Sequence, residues 1–312
     1  MKPVLRATGQ QGWGRAYFAM QAVAGLAWWT LVFLAPPVRA ATLGTLDPVA
    51  VAALDIPLFV LCSALAACGI RWAAVVATGW TALVAAALAV YSTFTTEAGL
   101  GVLMMMAATA CSGLALCFVL LGRVPTDWII RGPFAFRSAA SNRPATAHVS
   151  ATIAQMILFW GFFLVAVPLV ISWLEGRWLV SLPVPQFAVN AGAVILVLAS
   201  ILGVSSAVTM SSKGRGTPLP SAMPNRLVIA GPYRWVRNPM AVAGIAQGIG
   251  VGLILGSWLV VAYAMIGSFV WNCAVRPLEE ADLENRFGAE FRRYRSSVSC
   301  WLPRVGRNFG RS

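Results

Sequence analysis

The sequence predicts an all-α, polytopic membrane protein of about eight transmembrane helices, the last two forming a helical hairpin that leads into a cytoplasmic amphipathic tail helix. Three observations carry this expectation. Of 312 residues, 59% are hydrophobic and 11% charged, and mean hydropathy is +0.77; a water-soluble fold of this size cannot hide so much apolar surface. Apolar runs recur at the length of about 20 residues that crosses a hydrocarbon core of about 30 Å. The cations sit in the connections between those runs.

The runs lie at roughly 16–35, 50–70, 73–92, 100–121, 152–174, 187–208, 239–255 and 258–275. The first follows Lys2, Arg6 and Arg15 and precedes Val38-Arg39-Ala40, which resembles a cleavage site. Its apolar stretch is too long for the core of a signal peptide, so it counts as a span. With the N-terminus in the cytoplasm and eight crossings, 21 of the 23 Lys and Arg fall on the cytoplasmic side, leaving only Arg39 and Arg177 outside. Such asymmetry predicts a multi-pass protein of a cell membrane with both termini cytoplasmic. The net charge of +13 therefore reports orientation rather than nucleic-acid binding.

The longest break runs from Gly122 to Ser150. It divides a four-helix N-terminal region, 1–125, from a C-terminal domain, 151–312, through a cytoplasmic linker, 126–150. The first four spans hold almost no ionisable residue; Asp55 is expected to be an interfacial carboxylate. Scaffold, lipid entry wall and oligomer contact are the roles open to this region, with room for a homo-oligomer. Cys62 and Cys68, like Cys111 and Cys117, are six residues apart and lack metal-ligand spacing, so free, buried thiols are expected. One histidine, His148, cannot build a metal centre alone, and no metal is expected.

Residues able to carry chemistry gather around the final hairpin. Asn238-Pro239 opens span seven, since proline fits a first helical turn. Arg234 and Arg237 stand beside that helix N-terminus, where free N–H groups also favour an anion; anchoring to lipid phosphate is the plainer use of such arginines. Gly244, Gly248, Gly252 and Gly256 recur every four residues, leaving one face of bare backbone for a packed helix or a ligand. Gln247 in the same span requires an internal partner or a ligand. Span eight ends in Asn272, Arg276, Glu279 and Glu280, which share a face if the helix is regular; Pro277 is able to kink it. Leu283, Phe287, Phe291, Tyr294 and Val298 then form an apolar stripe at helical spacing. The Gly-, Pro- and Ser-rich stretch 211–224 reads as a linker, or as backbone that approaches a ligand.

The run Leu227-Val228-x-x-Gly231-Pro232-Tyr233-Arg234-x-Val236-Arg237-Asn238-Pro239, followed by Glu279-Glu280-x-x-Leu283-x-x-x-Phe287-Gly288-x-x-Phe291-x-x-Tyr294, resembles the C-terminal signature of the integral-membrane methyltransferases. These include isoprenylcysteine carboxyl methyltransferases and phospholipid methyltransferases; Gly214-x-Gly216-Thr217-Pro218-x-Pro220 resembles a bacterial branch, which implies a bacterial inner membrane. The resemblance spans roughly residues 150–305. It implies S-adenosylmethionine as cofactor and a membrane lipid or isoprenoid as methyl acceptor. Leu227, Val228, Gly231, Tyr233, Asn238, Pro239, Glu279 and Glu280 would line the cofactor site, and Arg237 would face the acceptor. Arg237 and Asn238 are thus the catalytic candidates, and Arg234, Arg237, Gln247 and Asn272 the candidates for holding the acceptor.

The chain departs from its relatives in three places. Ala241 stands where a tyrosine is common, Asn238 where the carboxyl methyltransferases have histidine, and Ser299-Cys300 where a proline usually follows the tail-helix valine. No dinucleotide fingerprint follows a strand pattern, so a soluble methyltransferase fold is not indicated. Two alternatives remain open at this level. A sterol-type reductase using NADPH shares the architecture, although its Arg-Asp and Cys tail motif is missing. A non-catalytic scaffold or transporter with a degenerate signature is the other.

Overall fold

The computed structural model describes residues 2–128, 145–217 and 223–303, with side chains described from residue 10 and, after the linker, from residue 150. Arg131, Arg137, Arg143, the side chain of His148 and the Pro218 and Pro220 positions of the Gly-Pro stretch lie outside these residues. Among the described residues the fold is all helical, apart from one isolated parallel bridge between Val236 and Ser299. Among the described residues seven helices are long and apolar enough to cross a membrane, and an eighth apolar helix, Pro239–Ile254, is shorter. The eight expected runs thus all become helices, but the first arm of the hairpin falls below the usual crossing length.

Two compact units divide the chain, Met1–Pro125 with Leu174–Ser181 and Thr126–Trp173 with Leu182–Ser312. In the first unit α1 covers Lys2–Leu34, α2 Pro36–Thr42, α3 Pro48–Ala67, α4 Arg71–Thr95 and α5 Gly99–Leu121. Asp47 caps α3, its carboxylate accepting from the N–H groups of Val49 and Ala50 at 2.8 and 2.9 Å. Polar side chains then tie the spans together where lipid offers no partner. Gln21 of α1 donates to Ser63 of α3 at 3.0 Å and accepts from Ser112 of α5 at 2.7 Å.

Asp55 differs from its sequence expectation. It is buried rather than interfacial, and its two oxygens accept the indole N–H groups of Trp29 at 2.8 Å and Trp80 at 2.7 Å. One carboxylate thereby joins α1, α3 and α4. The thiols are free, but Cys68, Cys111 and Cys273 are exposed on the protein surface, where only Cys62 and Cys300 are fully buried.

In the second unit α6 runs through Ala145–Trp160, a wide π-helical turn at Gly161–Ala166, and Val167–Arg177, whose last residues belong to the first unit. Then follow α7 (Gln186–Gly214), α8 (Pro239–Ile254) and α9 (Trp258–Val270), which passes through a second π-helical turn at Trp271–Val275 into α10 (Arg276–Ser297), itself kinked at Gly288, where φ +52° and ψ −122° leave the helical region. Helices α7 and α8 approach closely: a Cβ on Gly250 would sit 2.8 Å from the Gly192 carbonyl oxygen. Gly256, at φ +63°, turns α8 into α9, and Ser257 caps α9 by accepting from the Val260 N–H at 3.2 Å.

Removing the Asp55 carboxylate strands two indole donors, that of buried Trp29 and that of half-buried Trp80. Asp55→Ala is expected to destabilise the first unit by about 2–4 kcal/mol, and Asp55→Asn, which keeps one acceptor oxygen, by about half as much. Reversible unfolding in mixed micelles measures both; equal stability of Asp55→Ala and the parent would show the carboxylate to be solvated.

Candidate active site

The loop before α8 is shaped by its glycine and its tyrosine. Gly231, at φ +55°, opens a tight turn, Gly231–Arg234, and a Cβ there would lie 2.9 Å from Thr209 Oγ1. The turn sends Tyr233 inward, its hydroxyl 3.8 Å from Met210 Sδ, while its carbonyl accepts from the Tyr294 hydroxyl at 2.6 Å. Four residues on, the Arg237 N–H donates to the Ser299 carbonyl at 2.9 Å. The chain after α10 therefore returns onto the loop before α8. Asn238 ends the loop as the cap of α8, its Oδ1 accepting from the Ala241 N–H at 3.0 Å, with Pro239 in the first turn.

Arg237 is engaged on both hands of its guanidinium. Nη2 makes an ion pair with Glu280 Oε1 at 2.7 Å. Nη1 donates to the carbonyls of Val298 at 2.7 Å and Arg295 at 3.1 Å, groups at the C-terminal end of α10 where a cation is favoured. Its Nε is buried and has no partner among the described residues.

The neighbouring carboxylates diverge. Glu280 faces Arg237, whereas Glu279 lines a cavity and meets the Asn238 amide at 3.5 Å, the long limit of a hydrogen bond. Glu279 stands past the apolar stretch that closes at Val275. Burial, with Glu280 and Asp282 nearby, pushes its pKa well above the usual carboxylate range. Burial, then the Glu279 charge, raises the Tyr233 phenol as well, so that group stays neutral. Burial likewise outweighs the opposing effect of Arg237 at Tyr294.

The cavity measures about 480 Å³. Arg226, Arg237, Asn238 and Glu279 are its charged and amide groups. Leu227, Val228 and Tyr233 from the loop, with Leu283, Phe287 and Tyr294 from α10, give it apolar and aromatic walls. It continues between α8 and α9, past Ala241, Gly244 and Ile245 on one side and Gly267, Ser268 and Trp271 on the other. The four-residue glycine strip splits in use. At Gly248 and Gly252 an added Cβ would lie 2.8 Å from Ala264 and 2.7 Å from Val261, which is hairpin packing; at Gly244 it would meet nothing within 4 Å.

Leu227, Val228, Tyr233, Arg237, Asn238 and Glu279 are thus brought to one cavity. Gly231 and Pro239 shape its frame from behind, and Glu280 holds Arg237. Arg234 is exposed outside the cavity lining. Gln247 is buried in α8 and donates to Ser200 Oγ of α7 at 3.0 Å. Asn272 accepts from the Trp301 indole at 3.0 Å. It leaves the arc expected with Glu279 because Trp271–Val275 is a π-helical turn, which changes the angular step just before Pro277. Sequence reasoning counted Arg226 only as a topological charge, although its place directly before Leu227 was a signal for the cavity. The Gly214-x-Gly216 backbone approaches Pro224, not open space: a Cβ on Gly216 would sit 2.5 Å from Pro224 Cα.

Residues 187–290 match the family model described as phospholipid methyltransferase. No curated protein and no solved structure matches the chain. The matched segment contains α7 from its second residue, α8, α9, the loop from Leu227 to Asn238, and Glu279 and Glu280 of α10. Over that segment, about a third of the chain, the protein is similar to the phospholipid methyltransferase family of membrane methyltransferases.

Proposed function

We propose that the cavity binds S-adenosylmethionine and that the protein transfers its methyl group to a lipid-borne or isoprenoid acceptor at the cytoplasmic face of a bacterial cell membrane. The observation that carries this reading is a single cavity walled by Glu279 and Arg237 at one end and by two apolar helices at the other. A volume of about 480 Å³ lies within the usual range of small-molecule sites.

The residues present fit the cofactor. Glu279 offers acceptors for an ammonium group or ribose hydroxyls, and the unpartnered Nε of Arg237 offers a donor. Leu227, Val228, Leu283 and Phe287 provide an apolar slot suited to a purine. When bound, the cofactor supplies an electrophilic methyl group on a sulfonium. The protein's part is placement and desolvation more than strong base chemistry. Asn238 holds Glu279 toward the cavity, and Arg237 fixes α10 against the loop so that the carboxylate keeps its position. Helices α8 and α9 give the acceptor's apolar chain a dry wall, and Ala241 leaves open the space that a tyrosine ring would fill.

Isothermal titration of the full chain in neutral-lipid nanodiscs with S-adenosylhomocysteine tests this. Saturable binding is expected, weakened about tenfold or more in Glu279→Ala through loss of a charge-assisted contact. Wild-type protein that binds nothing, or a variant that binds as well as the parent, overturns the assignment.

The pH dependence follows from the raised pKa of Glu279. In the empty site the carboxyl keeps its proton at pH values where ordinary carboxylates have lost it. A cationic ligand favours the ionised form, so binding expels that proton. Affinity for the cationic cofactor is therefore expected to increase as pH rises from the usual carboxylate range through the raised value, then to level off. Titrations in buffers of different ionisation enthalpy should detect the released proton, and Glu279→Gln should abolish both the release and the slope.

A further inference from the structure

Two opposite charges line the cavity without neutralising each other. Three other carboxylates of α10 are engaged, Glu280 by Arg237 at 2.7 Å, Asp282 by Arg286 at 3.5 Å and Glu284 by Arg295 at 2.9 Å, and Glu290 is exposed outside the cavity lining. Glu279 has only the long contact from Asn238. Of the two guanidinium groups in the lining, Arg237 is bound on both hands. Arg226 is exposed, and no acceptor among the described residues engages its guanidinium.

The backbone under Arg226 is nonetheless fixed. Its N–H and that of Asn225 both donate to the Gly214 carbonyl, at 3.2 and 2.8 Å. The Asn225 amide donates to the Arg215 carbonyl at 3.1 Å, and the Pro224 carbonyl accepts from Arg286 at 2.6 Å. A firmly held backbone that presents an unpaired cation to a cavity is the arrangement of a ligand contact, because a mobile surface arginine would need no such mooring.

We propose that Arg226 and Glu279 form a two-point receptor for a zwitterion, Arg226 taking an oxyanion and Glu279 an ammonium group. This rests on the cavity being a ligand site, as proposed above, and adds which ligand group goes to which residue. Two sources share the chemistry. One is the amino-acid end of the cofactor, with its carboxylate; the other is a phosphoethanolamine headgroup, with its phosphate. Arg226 thus takes the anion-binding role that Arg237, tied to Glu280 and to the end of α10, does not fill.

The test compares wild type, Arg226→Gln and Arg226→Lys as full chains in neutral detergent, each checked for unchanged thermal unfolding. The probes are S-adenosylhomocysteine, its decarboxylated analogue, dihexanoyl phosphatidylethanolamine and a phosphate-free alkylamine. Arg226→Gln is expected to weaken one zwitterionic probe by about tenfold or more, Arg226→Lys to keep most of that affinity, and the matching anion-free probe to bind wild type and Arg226→Gln equally. Loss confined to S-adenosylhomocysteine assigns the carboxylate, and loss confined to the phospholipid assigns the phosphate. Equal affinity of Arg226→Gln and wild type for both zwitterions overturns the proposal, as does an equal loss for the anion-free probes, which would report altered shape. Wild type that ignores S-adenosylhomocysteine but binds the phospholipid sets aside the cofactor assignment alone, while wild type that binds neither overturns both.

Discussion

The guanidinium of Arg237 is the knot of the second unit. It joins the loop before α8, the start of α10 through Glu280, and the end of α10 through the Arg295 and Val298 carbonyls. The segments of α10 on either side of the Gly288 break are thereby held by a single side chain, whose planar fork reaches both where a compact ammonium would act as a point charge. The parallel bridge of Val236 with Ser299 and the Tyr294 hydroxyl on the Tyr233 carbonyl reinforce the same closure. Without this closure α10 would have no fixed azimuth, and the carboxylate of Glu279 no fixed direction.

Closure also separates the tasks of two adjacent glutamates. Consecutive helical positions differ by about 100°, so when Glu280 turns to Arg237, Glu279 must point elsewhere. The direction left to it is the cavity. There burial and the remaining acidic neighbours disfavour its ionised form, so the empty site stores a preference for positive charge. The stripe of Leu283, Phe287, Phe291, Tyr294 and Val298 packs with Leu227 and begins on the same side of the helix as Glu279, with Leu283 and Phe287 beside it in the cavity wall. Polar and apolar contacts thus fix the same rotation of α10 independently.

Much of this was legible before any coordinates. The spans follow from length and hydropathy, the cap at Asn238 from its proline, and the tail stripe from its period. Other features depended on contacts the sequence does not encode locally. Asp55 read as interfacial because it lies near the end of a span, yet two tryptophans from other helices reach it. Asn272 fell out of the predicted arc because a π-helical turn precedes Pro277, and nothing in the pattern of apolar residues marks such a turn. Arg226 and Arg237 look alike in a chain whose cations are almost all arginines; only their acceptors distinguish a structural tie from a free cation.

The glycines of α8 pose the same problem more sharply, since their even spacing gives no hint of where packing ends and cavity begins. The answer lies on the facing helix. Val261, Ala264 and then Gly267 with Ser268 recur at helical spacing along one face of α9, and the first two fill the space over Gly252 and Gly248. At Gly267 an added Cβ would meet nothing within 4 Å, and there the cavity opens beside Gly244. Side-chain size falls along α9 toward the site while α8 stays bare throughout. It is therefore α9 that sets where the hairpin closes, and the depth of the cavity between the helices is written in the taper of its residues.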